Sequence, residues 1–205
     1  MSSVLNACIT FFSYAVIAMF AQNAIFSRGL GVSRMIQLVG DDEVSSLLFG
    51  LQLCVIQLLV APLGHLTNNW LEPLGAVWRP LLRPLVYVLC VSAVCGVLYL
   101  VLTRCTKIPH RQHLIGILPI AGFNSTVVGT LLVTTTQNYS MAQSLGFGLG
   151  SGLGFVVAVL LVTEAQRKLR SRAVPDAFRG LPITLIYIGI LAMAIYGFTG
   201  HGVAI

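Results

Sequence analysis

Stretches of about twenty apolar residues recur along the whole of this sequence, separated by short linkers that hold nearly all of its charge. Spanning a bilayer takes about 20 consecutive, mostly apolar residues in a helix. Six such stretches plus their linkers consume the 205 residues almost completely and leave no water-soluble domain of useful size. Only 9% of the residues are charged and 57% are hydrophobic, against about 25% charged in soluble domains. A soluble enzyme is thereby excluded. In lipid every backbone polar group needs an internal partner, so spanning segments are helices or closed barrels. These runs are too long, and too evenly apolar, for the alternating strands of a barrel.

The pattern predicts an all-α integral membrane protein with spans at about 5–26 (with a continuation toward 36), 45–63, 84–103, 113–134, 142–163 and 181–199. The N-terminus lacks the basic segment of a cleaved leader, so the first span is expected to stay in the protein.

Charge sets the orientation. The linkers after spans one, three and five carry Arg28, Arg34, Arg104, Lys107, Arg111, Arg167, Lys168, Arg170, Arg172 and Arg179, whereas the opposite side carries Arg79 and Arg83 alone. Basic loops stay cytoplasmic, so both termini are expected outside. The net charge of +6 therefore serves orientation and implies no nucleic-acid partner. Three spans per half would turn the second half upside down relative to the first, the inverted-repeat plan of many transporters. The expected repeats are 1–103 and 104–205 of a single membrane domain, with Asn23 and Asn124 at similar places in spans one and four.

Several features lie within the spans. Gly146, Gly150 and Gly154 share one helix face, which lets a neighbouring helix approach to backbone contact. Span four joins Pro119 and Gly122 to Asn124-Ser125-Thr126. Proline removes a backbone donor, so this is a helix break or a kink with polar side chains. In span one Gln22 and Asn23 interrupt the apolar run ahead of Ser27-Arg28-Gly29. Arg28 reads as a cytoplasmic anchor beyond the helix end, since an arginine at the membrane centre costs about 2.5–3.5 kcal/mol on insertion scales. Cys8, Cys54, Cys90, Cys95 and Cys105 form no CxxC pair, and His110 and His113 sit in a basic linker. No disulfide framework, zinc site or nucleophile–base constellation emerges. The six carboxylates (Asp41, Asp42, Glu43, Glu72, Glu164 and Asp176) all lie outside the span centres. A carboxylate proton relay within this chain is therefore not expected.

Two stretches resemble a known family. One is Asn138-Tyr139-Ser140-Met141-Ala142-Gln143-Ser144 with the glycine-rich helix after it. The other is Val174-Pro175-Asp176-Ala177-Phe178-Arg179-Gly180, followed by a helix ending Gly197-Phe198-Thr199-Gly200. Together with Leu118-Pro119 and Gly122-Phe123-Asn124, they resemble the Rnf/Nqr membrane-subunit family, nearest to its A-type Rnf and E-type Nqr members. The likeness is strong over about 112–200, weaker over 10–40, and hard to trace between them.

The resemblance implies a six-helix inverted repeat beside a homologous subunit of opposite topology. The pair belongs to a Na+- or H+-translocating complex that oxidises NADH or reduced ferredoxin in the bacterial cytoplasmic (inner) membrane. Such a chain is part of a translocase and carries no catalytic residue of its own. The family also implies a [2Fe–2S] cluster at the subunit interface, with two cysteines from each partner. Those two positions are Ser33 and Ser125 here. A hydroxyl is a poor ligand for soft metal sites, so this chain is expected to bind no cofactor. A polar helix-break site at Asn23, Asn124, Ser125 and Thr126 would remain. It suits a cofactor-free transporter, or a subunit that serves assembly, on the same fold. From the charge asymmetry, a reporter enzyme fused after Lys168 should be active only in its cytoplasmic form; an external signal there would reverse the orientation.

Overall fold

In a computed structural model the protein is described over residues 2–39, 43–105, 110–169 and 174–199. Asp41, Asp42, Lys107, Arg170, Arg172, Gly200 and His201 lie outside these residues. The described residues form nine α-helices and two short 3-10 turns, with no strand among them. The helices are α1 Ser2–Met19, α2 Ala24–Arg28, α3 Val32–Leu38, α4 Glu43–Leu71, α5 Gly75–Arg104, α6 Arg111–Gly122, α7 Ser125–Thr136, α8 Met141–Leu169 and α9 Leu181–Thr199.

Four of these (α4, α5, α8 and α9) are long and apolar enough to cross a membrane alone, and α6 with α7 makes a fifth candidate, bent by 48° at its break. The apolar part of α1 is shorter, at Val4–Met19. One expectation is thereby corrected, and one left open between a break and a kink proves to be a break. The first span does not run unbroken to 26: α1 stops at Met19, and the chain resumes as two short helices. The fourth is not continuous over 113–134 but breaks between Gly122 and Ser125. The physical reason is the same in both places. An asparagine side chain takes over backbone N–H groups at the start of the next helix, which lets the chain leave the helical path without orphaned donors.

At the centre stands α8, packed by α1 on one face and α4 on another. Methyl groups built on Gly146 and Gly150 would overlap the carbonyl oxygens of Phe11 and Ala15, and one on Gly154 would lie 3.0 Å from that of Met19. The glycine face is therefore where α1 reaches backbone contact. The order of these pairs shows that α1 and α8 run parallel. On the other face Gly148 meets Gln57, and Gly152 meets Cys54. This order runs the opposite way, so α4 is antiparallel to α8. Phe49, Phe155, Met35, Val91 and Ala121 lie in one buried core joining these helices.

The stretches that carried the family likeness are local stop and start devices. Ser140 and Gln143 form a reciprocal cap at the head of α8, with Ser140 N–H to Gln143 Oε1 at 2.8 Å and Gln143 N–H to Ser140 Oγ at 3.4 Å. In the segment before α9, Asp176–Phe178 makes a 3-10 turn. Arg179 closes it through an ion pair to Asp176 and a 2.9 Å bond from Nε to the Val174 carbonyl.

The glycine contacts generate a paired test. Gly150→Val forces α1 off α8, and overpacking of this kind costs about 1–3 kcal/mol. Gly96, with nothing within 4 Å of its would-be methyl, should accept alanine unchanged. Thermal unfolding of the two variants in detergent makes the comparison.

Candidate functional site

The two breaks in the helical path meet around one turn of α8. In the first, Asn23 is 1% exposed and uses its whole amide. Its Oδ1 accepts from the N–H groups of Ile25 (3.0 Å) and Phe26 (3.4 Å), capping α2. Its Nδ2 donates to the carbonyls of Met19 and Gly154, both at 2.9 Å. The same side chain thus ends α1, starts α2 and fastens the turn to α8. After one turn, α2 is closed by Gly29 at φ 68°, and Gly31 follows at φ 77°. Both values lie in the left-handed region that glycine tolerates best.

The second break is capped by Asn124, whose Oδ1 accepts from Thr126 N–H at 3.0 Å. The next residue, Ser125, has its Oγ 2.9 Å from the Gly31 backbone nitrogen, which donates to it. This bond joins residues 94 apart in the chain. A methyl on Gly31 would overlap Thr126 Oγ1 and lie 3.0 Å from both Asn124 Oδ1 and the Phe155 ring. Gly31 is therefore fixed twice over, by its backbone angle and by the space its neighbours leave.

Asn124 is 6% exposed and Thr126 0%, yet Asn124 Nδ2 and Thr126 Oγ1 have no hydrogen-bond partner. One turn further along α7, Thr130 and Ser151 share a buried 2.9 Å hydroxyl pair that ties α7 to α8. The junction thus consists of amides, hydroxyls and backbone groups and contains no ionisable side chain. It can orient a polar or ionic species by hydrogen bonding; it offers no acid, base or nucleophile.

Of the residues expected to form the site, Asn124, Ser125 and Thr126 gather around Gly31, whereas Asn23 bonds to α8 through Gly154. Gly154 and Phe155 are consecutive at the midpoint of α8, so both breaks share one depth. Ser33, the second residue of α3, is exposed. Sequence reasoning missed Gly31 and Phe155. The Gly29-x-Gly31 pair beside a polar interruption was the available signal, but nothing local in the sequence shows what Gly31 touches.

Arg28 departs from its expected place. Its backbone lies between Asn23, bonded to Gly154, and Gly31, packed on Phe155. Both anchors are at the centre of α8, so Arg28 is not beyond the end of the first span. The residue is exposed, with its Nη2 3.4 Å from Gln22 Oε1.

The donor set does not suit the iron–sulfur cluster implied by the resemblance. Ser33 and Ser125 offer hydroxyls where a cluster takes thiolates. The buried thiols are committed to packing: Cys54 lies against Gly152 and Cys95 against Gly122. Among the described residues no group of three or more His, Cys, Asp or Glu is placed to hold a metal.

Comparison with known proteins places these features in a family. Residues 11–201 match the family described as "Rnf-Nqr subunit, membrane protein". The chain is 28% identical over 199 residues to the E-type subunit of the Na(+)-translocating NADH-quinone reductase of Stutzerimonas stutzeri, covering 93% of this chain and 97% of the relative. It is 25% identical over 185 residues to the A-type subunit of the Na(+)-translocating ferredoxin:NAD(+) oxidoreductase complex of Acetobacterium woodii, covering 89% and 93%. Against the A-type subunit of the ion-translocating oxidoreductase complex of Pasteurella multocida, identity is 34% over 131 residues, covering 63% and 66%.

The junction makes a specific demand on the two serines. Ser125→Ala removes the acceptor of the part-buried Gly31 N–H bond, which should cost about 0.5–1.5 kcal/mol. Ser33→Ala, at an exposed position, should stay within about 0.5 kcal/mol of wild type. Equal losses of thermal stability in the two variants would contradict this geometry.

Proposed function

Since this chain belongs to the Rnf-Nqr family of membrane subunits, we propose that it serves as one membrane component of an ion-translocating oxidoreductase complex. The complex couples electron transfer from NADH or reduced ferredoxin to movement of Na+ or H+ across the bacterial cytoplasmic membrane. The chain crosses six times, with α1 and α3 as an interrupted first span and α6 and α7 as an interrupted fourth. Both termini face outward, and the two halves form an inverted repeat. The parallel packing of α1 on α8 and the antiparallel packing of α4 on α8 support this arrangement, because spans one and five descend where span two rises.

A partner is supported chiefly by what the first break leaves uncovered. Arg28 is exposed at the depth of the centre of α8. A guanidinium facing hydrocarbon there is unfavourable by about 2.5–3.5 kcal/mol on insertion scales. A second membrane protein covering this face removes that cost. The natural candidate is a homologous subunit of opposite topology, and the exposed residues Ser33 and Ser125 are the positions it would meet. Lipid covers the rest of the apolar surface.

The family's [2Fe–2S] cluster finds no thiolate ligands at these positions, so no step is assigned to it in this chain. The chain's own contribution is positional. Asn23 and Asn124 hold two helix ends at mid-depth, and the Ser125–Gly31 bond locks them together. A second reading rests on the unpaired Asn124 Nδ2 and Thr126 Oγ1. Two buried polar atoms beside a helix break suit a small polar or ionic ligand, as in a cofactor-free transporter built on the same fold. Loss of transport in Thr126→Val with the complex still assembled favours that reading, whereas tolerance of alanine at Asn124 and Ser125 favours a role in assembly alone.

Isolation of the complex from its native membrane is the direct test. This chain should co-purify with a second membrane protein of the same family and with redox subunits, and no iron should depend on its serines. The double variant Ser33→Cys/Ser125→Cys should gain iron and an EPR signal if the partner supplies two thiolates. A stoichiometric cluster in the wild-type complex that is lost on Ser33→Ala or Ser125→Ala would overturn the cluster-free reading.

A further inference from the structure

Arg28 ends the single turn of α2, level with the centre of α8, and is exposed there. Its Nη2 donates to Gln22 Oε1 at 3.4 Å, a neutral acceptor. Among the described residues no carboxylate is within ion-pair distance of it. The guanidinium leans toward the Met141 end of α8, since its charge acts on Tyr139 in the linker before that helix. Burial and then Tyr14 push this phenol up, and Arg28 pulls it down. Exposed apolar side chains flank both breaks: Phe20, two residues before Gln22, is 56% exposed, and Phe123, next to Asn124, is 53% exposed. A permanent cation thus stands on an apolar surface with a single neutral amide against it.

Neither this chain nor lipid supplies the missing negative charge. Glu43 opens α4, and Glu72 lies in the turn beyond its far end. Glu164 is near the end of α8 and pairs with Arg167, while Asp176 precedes α9 and pairs with Arg179. Asp41 and Asp42 directly precede Glu43 in the sequence. None of the six lies near the middle of a long helix. A second copy of this chain therefore has no mid-span acid to offer, and it would add a like charge. Lipid phosphates lie at the edges of a hydrocarbon core about 30 Å thick, and one arginine side chain does not cover half of that distance.

Ionisable groups inside membranes pair with one another. A carboxylate answers a guanidinium with two parallel hydrogen bonds, and arginine is favoured for ion pairs at interfaces. We propose that the face around Arg28 docks a membrane-spanning helix of a different subunit, and that this helix carries an aspartate or glutamate against the guanidinium. The pairing presupposes the membrane complex proposed above and excludes a homodimer across this face.

Removing the charge separates pairing from mere exposure to lipid, because the two predict opposite signs. Against lipid, Arg28→Met leaves assembly unchanged or improves it. Against a carboxylate it strands that acid, so the yield of intact complex from the native membrane should fall about tenfold. Arg28→Glu should lower the yield further, and Arg28→Lys should keep most of it. Thermal unfolding of each full-length variant in detergent, apart from its partners, should match wild type, since Arg28 is exposed; if Arg28→Met lowers it, the cross-link decides instead. A hydrophobic carbodiimide added to the Arg28→Lys complex should join the new amine to one acid of another subunit, located by mass spectrometry in a membrane-spanning segment. Full assembly of a stable Arg28→Met variant would overturn the pairing. So would an intact complex without that cross-link, or a cross-link only to an acid of this chain or of a second copy. In each of these cases the complex is still isolated, so its existence stands. Recovery of the chain with no other membrane protein would instead remove the complex and the pairing together.

Discussion

The amide of Asn23 joins three parts of this protein that lipid would otherwise keep apart. It terminates α1 at the Met19 carbonyl, supplies the cap of α2, and bonds the Gly154 carbonyl of α8. In a bilayer an interrupted helix is tolerated only where protein or a cavity satisfies the freed backbone groups. One side chain with two donors and an acceptor meets most of that demand here. The second break repeats the solution with Asn124, and the Ser125–Gly31 bond makes the two breaks one object.

That object depends on how closely helices approach. The glycines of α8 let α1 come to backbone contact, and only at that distance does the Asn23 amide reach the Gly154 carbonyl. Without a hydrophobic drive between helices in lipid, such close packing and the hydrogen bonds it permits are what hold them together. The glycine face and the asparagine caps are thus one mechanism. The first brings α8 within reach, and the second uses the reach to stabilise a chain that has left the helical path.

For function, the consequence is a polar junction level with the centre of α8, with no ionisable group inside it and an arginine at its rim. Such a junction organises and positions; it does not transfer protons by itself. The two serines, Ser33 and Ser125, have different structural roles. Both are exposed, but Ser125 also accepts a backbone bond that holds the breaks together.

The sequence by itself determined that the chain is helical, lies in a membrane, packs a helix against Gly146, Gly150 and Gly154, and carries polar interruptions near Asn23 and Asn124. These follow from composition, periodicity and residue chemistry, which act locally along the chain. Tertiary structure alone decided where α1 stops, that Arg28 lies level with the centre of α8, that Gly31 bonds Ser125, and that Arg79 and Arg83 share Asn68. Each of these depends on which atoms from distant segments come within hydrogen-bonding reach. An asparagine in an apolar run reads the same whether it merely faces a neighbour or breaks the helix; the Gly154 carbonyl, 131 residues away, helps decide between the two.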